Sequence, residues 1–279
     1  MTDSKAVRSP GDPSNKVSKE MEPTTLVEKE QMEKVPYREA VGCLMFLMKG
    51  TRPDISYEVT RMAQFNENPG QSHWMAVKRI MRYLKGSMHL SLVFGPPATN
   101  SGSVDDLQNE NLSLLAFCDS DWAGNIDNRR STSGGIFLIN NGPVVWTTRE
   151  QKTVAHSSTE AEYMALSDAT KEIKWLRQLL QDLGWQQNSA TLLKSDNQGA
   201  IHLSKNPEYH KRTKHIDIRY HYIREEQKSG SIKIEYVATD KQPADMLTKS
   251  LSGPALERCK LQCNLCDIQE LEGMLEVNS

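Results

Sequence analysis

Apolar positions along this 279-residue chain fall into three regimes, and the changeovers between them divide it. Through residues 1–34 they are scattered among Ser, Lys, Glu and the prolines Pro10, Pro13 and Pro23, which predicts an extended, poorly ordered lead-in. From 35 to 95 they recur at helical spacing. One helix is expected over 37–48, a second starts at Arg52-Pro53-Asp54, and a third runs over 72–84 with Trp74, Val77, Ile80, Met81 and Leu84 on its apolar side. A short apolar stretch over 90–94 precedes Gly95-Pro96-Pro97 and a Ser/Asn/Asp-rich run. Residues 96–111 therefore read as a linker and as the main domain boundary.

From 112 onward the pattern is that of strands. A continuous apolar run covers 114–119, and runs over 134–139 and 144–148 flank Asn140-Asn141-Gly142, whose Asn-Gly step predicts a hairpin turn. A long amphipathic helix follows Ser157-Ser158-Thr159. Its apolar positions Leu166, Ala169, Ile173, Leu176, Leu180 and Leu183 advance in three- and four-residue steps, and Gly184 is its expected stop. Then come a strand over 191–195, a short helix over 200–204, a helix over 214–227, a strand over 232–237 and a closing helix over 244–250. The order β-β-β-α-β-α-α-β-α implies an α/β fold over 112–251, a mixed five-stranded sheet flanked by helices, with 252–279 as a C-terminal tail.

Composition narrows this further. With 37% hydrophobic and 25% charged residues the chain is a soluble globular one, with room for one to two domains. A net charge of -2 gives no general attraction to a polyanion, so any nucleic-acid contact must use local patches. Two are visible. Lys78, Arg79, Arg82 and Lys85 form either a solvated basic face on an ordinary amphipathic helix or a phosphate contact. Lys205, His210, Lys211, Arg212, Lys214, His215, Arg219, His221 and Arg224 crowd into about twenty residues. The longest apolar run, about 40–48, is too short to span a bilayer, and no secretory signal is expected at the N-terminus. Five cysteines, an odd number, suggest a reducing compartment. Cys259, Cys263 and Cys266 lack a nearby fourth ligand and read as structural thiols rather than a zinc site.

Four acids stand at the ends of expected elements: Asp119 and Asp196 close apolar strands, Glu162 opens the long helix, and Asp245 follows Gln242-Pro243-Ala244. Carboxylates gathered at one sheet edge repel one another unless a cation neutralises them, and hard oxygen ligands suit Mg²⁺ or Mn²⁺. That pattern points to a two-metal, phosphodiester-cleaving site. Each acid has a competing explanation. Thr159 and Glu162 have capping-box spacing, but so do Ser157 and Glu160. At about 100° per residue Glu162 lies about 20° from Ala169 and about 40° from Leu166, on the sheet-facing stripe, whereas Glu160 lies about 200° away. Asp121 competes with Asp119 but has left the alternation of Leu115 and Phe117. Asp196 could cap the helix after it, and Asp245 could simply answer a helix dipole.

Asp119-Ser120-Asp121-Trp122-Ala123-Gly124, Ser157-Ser158-Thr159-Glu160-Ala161-Glu162-Tyr163, Ser195-Asp196-Asn197-Gln198, Lys214-His215-Ile216-Asp217-Ile218-Arg219 and Ala244-Asp245-Met246-Leu247-Thr248-Lys249 together resemble the ribonuclease H domain of a copia-type LTR retrotransposon Pol polyprotein. Pro36-Tyr37-Arg38-Glu39-Ala40-Val41-Gly42, Thr51-Arg52-Pro53-Asp54-Ile55 and Arg82-Tyr83-Leu84-Lys85-Gly86 resemble the end of its reverse transcriptase region. The likeness covers about residues 36 to 251. It implies a ribonuclease H-like fold and endonucleolytic cleavage of the RNA strand of an RNA–DNA hybrid. Asp119, Glu162, Asp196 and Asp245 would then be the catalytic, metal-binding acids for two Mg²⁺ ions about 3.5–4 Å apart, with Mn²⁺ as a substitute. One ion would acidify the attacking water and the other stabilise the leaving 3′ oxygen.

The resemblance also implies an intracellular, cytoplasmic setting, or a virus-like particle or nucleus, and the remainder of a reverse transcriptase as a partner. The family's Y-x-D-D polymerase motif is absent from this chain, so DNA synthesis is not expected. Lys211, Arg212, Lys214, His215 and Arg219 are the expected hybrid contacts, gripping phosphates beside a minor groove whose 2′-hydroxyls mark the RNA. The alternatives are a non-catalytic, co-opted nucleic-acid-binding remnant and a transposase- or integrase-type nuclease on the same fold.

Overall fold

The structure, a computed structural model, describes residues 3–95, 113–205 and 214–267, the side chains of 214–218 and 220 excepted. Strands β2 (Leu114–Asp121), β3 (Thr132–Ile139), β4 (Gly142–Glu150), β5 (Thr191–Ser195) and β6 (Ile232–Tyr236) form one sheet in the order β4-β3-β2-β5-β6. The pairs β4-β3 and β3-β2 are antiparallel, whereas β2-β5 and β5-β6 are parallel. This is the expected mixed sheet. The hairpin turns one residue earlier than its Asn-Gly step suggests: Asn140 and Asn141 both take positive φ, at 49° and 60°, and Gly142 already begins β4.

Alternation along β2 sorts its side chains between two cores. Leu114, Ala116 and Cys118 face α5 (Ser158–Asp182), meeting Tyr163, Leu166, Ala169 and Ile173. Behind them pack Ile201 of α6 (Gln198–Lys205) and Ile223 of α7 (Lys214–Lys228). Phe117 faces the other way, with Ile136 and Leu138 of β3, into a core built by the upstream helices α2 (Tyr37–Gly50), α3 (Ser56–Ala63) and α4 (Gln71–Lys85).

The helical segment therefore covers the second face of the sheet and shares its core, where the sequence reading set a boundary between them. The expected linker, 96–111, lies outside the described residues. The lead-in also differs from expectation. Thr25 and Glu28 form a capping box at the start of α1 (Leu26–Glu33). Before it, the segment runs along the basic face of α4, where Arg79 donates to Gly11 O, Arg82 to Lys5 O and Lys85 to Ser4 O, at 3.0, 2.7 and 2.9 Å. Those three cations thus hold backbone carbonyls, and neither side of the solvated-face-or-phosphate alternative describes them.

The expected tail folds back as α8 (Gly253–Gln262) and β7 (Leu265–Asp267), which pairs antiparallel with β1 (Leu90–Leu92). Leu256, Cys259, Cys263 and Leu265 join the helical core. The closing helix expected over 244–250 is a 3₁₀ turn, Pro243–Leu247.

A buried ion pair locks the helical unit. The Arg52 guanidinium donates to both Asp54 oxygens, at 2.9 and 2.7 Å, and to Ser87 O at 3.0 Å, while the Tyr83 hydroxyl donates to Asp54 Oδ2. Removing one partner of such a pair strands the other charge in the interior. Asp54→Ala is expected to cost about 3–5 kcal/mol in chemical denaturation, and Tyr83→Phe less, because it leaves the pair intact.

Candidate metal centre

The 3₁₀ turn reaches the sheet at Gly134, the register partner of Asp119. A Cβ there would meet Thr248 Cγ2 at 2.7 Å and Leu247 Cβ at 2.9 Å, so a hydrogen at this position lets the turn dock against Asp119. Asp119, 2% exposed, accepts a short hydrogen bond from the Thr248 hydroxyl. From the other face, the N-terminal end of α5 brings in Glu162, 6% exposed. Its Oε1 accepts the Ser120 N–H at 3.3 Å, and its Oε2 is buried without a hydrogen-bond partner. Half-buried Asp196, just past β5, accepts from the Thr239 hydroxyl at 2.8 Å. Ligand oxygens of Asp119, Glu162 and Asp196 all lie within 4.8 Å of one another.

Asp245 joins from the 3₁₀ turn through a lysine. Lys249 Nζ lies 3.0 Å from Asp245 Oδ1 and 3.6 Å from Asp119 Oδ2. The structure therefore places all four sequence-predicted acids at one edge of the sheet, three with ligand oxygens within 4.8 Å of one another and the fourth across an ammonium. Neither capping alternative holds. Ser157 caps α5 by accepting Glu160 N–H at 3.2 Å, and Asn197, not Asp196, accepts Ala200 N–H at 2.9 Å. Asp121, half-buried, lies outside the three-acid group.

Crowding of like charges in a dry setting shows in the protonation equilibria. Burial, then Asp119 and Asp196, push the Glu162 carboxyl up to about 10. Burial, then Asp119, raise Asp245 to about 7. Burial by itself would lower Lys249, but Asp119 and Asp245 outweigh it and hold the ammonium firmly charged. Such a donor set, all carboxylate oxygen with one buried oxygen orphaned, suits a hard divalent cation.

Sequence reasoning assigned no role to Thr248, Lys249, Thr239 or Gln242, whose side-chain amide donates to Cys118 O at 2.9 Å. The i,i+4 spacing of Asp245 and Lys249 was the available signal for one of them. Of the expected hybrid contacts, Lys211 and Arg212 lie outside the described residues, as do the side chains of Lys214 and His215. Arg219 is half-buried and lines a groove with Arg149, Lys152 and Lys171.

A mixed five-stranded sheet with carboxylates converging from the ends of β2 and β5, the start of α5 and a turn after β6 defines a ribonuclease H-type domain. The retrovirus-related Pol polyprotein from tobacco (Nicotiana tabacum) transposon TNT 1-94 is 46% identical over 260 residues, 93% of this chain and 18% of its own length. That from Arabidopsis thaliana transposon RE2 is 40% identical over 221 residues, 79% of this chain and 14% of its own. The chain thus belongs to the retrovirus-related Pol polyproteins of copia-type transposons, and it spans less than a fifth of the length of these two relatives. Among solved structures, LC11-RNase H1 in complex with an RNA/DNA hybrid aligns over 49% of this chain and 94% of its own, at 13% identity and a TM-score of 0.38. No protein-family model matches.

Proposed function

We propose that this segment hydrolyses the RNA strand of RNA–DNA hybrids endonucleolytically, with divalent ions held by Asp119, Glu162, Asp196 and Asp245. The observation that carries this reading is the meeting of three carboxylates from distant parts of the chain, one with a buried oxygen that no protein group satisfies. Divalent ions supply charge neutralisation at the phosphate and a more acidic water. The protein's own part is positioning. Thr248 orients Asp119, Thr239 orients Asp196 and the Ser120 amide orients Glu162, so the acids stay in place against their mutual repulsion. Mg²⁺, or Mn²⁺ in its place, fits these ligands, and two ions are proposed because the family resemblance implies them. An intracellular, reducing setting is part of the proposal, supported by five cysteines that form no disulfide with one another.

The test is a hybrid labelled separately on each strand and incubated with Mg²⁺ or EDTA. RNA-only, Mg²⁺-dependent cutting that disappears in Asp196→Asn, with the fold intact by circular dichroism, is expected. Binding without cutting would instead identify a co-opted binding module, and cutting of duplex DNA an integrase-type nuclease.

A further inference from the structure

Gln151 follows directly on β4, and its backbone N–H donates to Ser131 O at 2.8 Å, which fixes it at the exit from the sheet. Its side chain turns inward, leaving the residue 4% exposed. The amide nitrogen donates to oxygens from three elements: Ser120 Oγ of β2 at 3.3 Å, Ser133 Oγ of β3 at 2.8 Å and Ala161 O of α5 at 2.9 Å. A carbonyl oxygen only accepts, so Ala161 fixes which end of the amide is the nitrogen. The other end, Oε1, is buried with no hydrogen-bond partner among the described residues. An apolar side chain of the same length would leave no such orphan. What the amide supplies is therefore on its nitrogen.

Two of the three ties bear on Glu162. Ser120 provides the N–H that Glu162 Oε1 accepts, and Ala161 precedes Glu162 in α5. Gln151 thus holds both the donor for this carboxylate and the backbone that carries it. Such a tie has a force to resist. Ligand oxygens of Glu162, Asp119 and Asp196 lie within 4.8 Å of one another, and like charges at that range push the start of α5 away from the ends of β2 and β5. The Ser157 cap does not oppose this, because it bonds α5 to its own first turn. Apolar packing of α5 on β2 is non-directional, whereas hydrogen bonds from one amide fix the helix against particular strand residues.

We propose that Gln151 is a positioning residue whose amide sets the distance of Glu162 from Asp119 and Asp196, and with it the affinity of the centre for divalent ions. The inference rests on reading these acids as metal ligands, and it adds a residue that touches neither metal nor substrate.

The experiment uses the full chain and Mn²⁺, whose free ion is counted by its electron paramagnetic resonance signal. Binding curves are taken for wild type, Gln151→Met, Gln151→Asn and, as a remote destabilised control, Tyr83→Phe, each below its melting temperature by circular dichroism. Gln151→Met keeps the length and loses the donors. It is expected to bind Mn²⁺ about tenfold more weakly, the lower end of what partners outside the ligand shell contribute, because it acts through a neighbour's backbone. Gln151→Asn, one methylene short of its acceptors, falls between wild type and Gln151→Met. Tyr83→Phe melts earlier but keeps wild-type Mn²⁺ affinity. Wild-type affinity in folded Gln151→Met, or in Gln151→Asn if the methionine variant does not fold, overturns the proposal. An equal loss in Tyr83→Phe overturns it too, since weaker binding would then follow from lower stability alone. Strand-specific cutting of the hybrid by wild type separates this inference from the hybrid-cutting one. Gln151-dependent Mn²⁺ binding without any cutting leaves the positioning role standing and removes the nuclease, whereas normal cutting with Gln151-independent Mn²⁺ binding does the reverse.

Discussion

Glu162→Gln is expected to give a protein that no longer cuts, yet melts at a higher temperature in EDTA than the wild type. Cutting should fall by roughly a thousandfold or more, since a ligand charge is lost where charge develops in the transition state. The gain in stability follows from the crowding. The Glu162 carboxyl is raised from its ordinary 4.5 to about 10 by burial and by Asp119 and Asp196, so the folded, metal-free state holds a proton there that the unfolded chain has released. Below about pH 4.5 both states are protonated and Glu162 contributes no penalty. As pH rises toward about 10 the penalty grows at about 1.36 kcal/mol per unit, reaching a few kcal/mol near neutrality.

Metal-free wild type should therefore melt at progressively lower temperature from pH 5 to pH 9, and Glu162→Gln should flatten that slope. Added Mg²⁺ should flatten it as well, and its binding near pH 7 should release protons, read by calorimetry in buffers of different ionisation enthalpy. A wild-type melting temperature in EDTA that stays level or climbs across this range would remove the claim that Glu162 is held among charges of its own sign.

The acidic centre was largely legible in the sequence, for reasons local to each element. Asp119 and Asp196 follow apolar runs that end at one edge, and the helical wheel separates sheet-facing Glu162 from capping Glu160 without any tertiary information. What the pattern could not carry was partnership between segments. The apolar faces of α2, α3 and α4 announce that they must be covered, but Phe117, Ile136 and Leu138, which cover them, lie beyond the expected linker. The order of the lead-in was hidden for a different reason. Its ties to Arg79, Arg82 and Lys85 run through backbone carbonyls, which every residue carries and no residue type advertises. The 3₁₀ turn at Pro243–Leu247 was read as helix because its polar and apolar positions fit either period over so short a span.

Lys249→Met is expected to destabilise the metal-free protein while easing the entry of divalent ions. The ammonium lies between Asp119 and Asp245 and neutralises a pair of carboxylates that are 2% and 9% exposed. Losing a partner from a fully buried pair costs about 3–5 kcal/mol. With about a third of the Lys249 side chain exposed, solvent screening reduces this to roughly 1–2 kcal/mol. At roughly 2–4 °C per kcal/mol, that is a drop of several degrees in EDTA, read by differential scanning calorimetry. Lys249 also competes with any cation seeking the Asp119–Asp245 pair. Once it is removed, the Mn²⁺ concentration that restores the melting temperature should fall below that needed by wild type. A methionine variant as heat-stable as wild type in EDTA, with an unchanged Mn²⁺ requirement, would show that the lysine lies beside the acids without serving as their counter-ion.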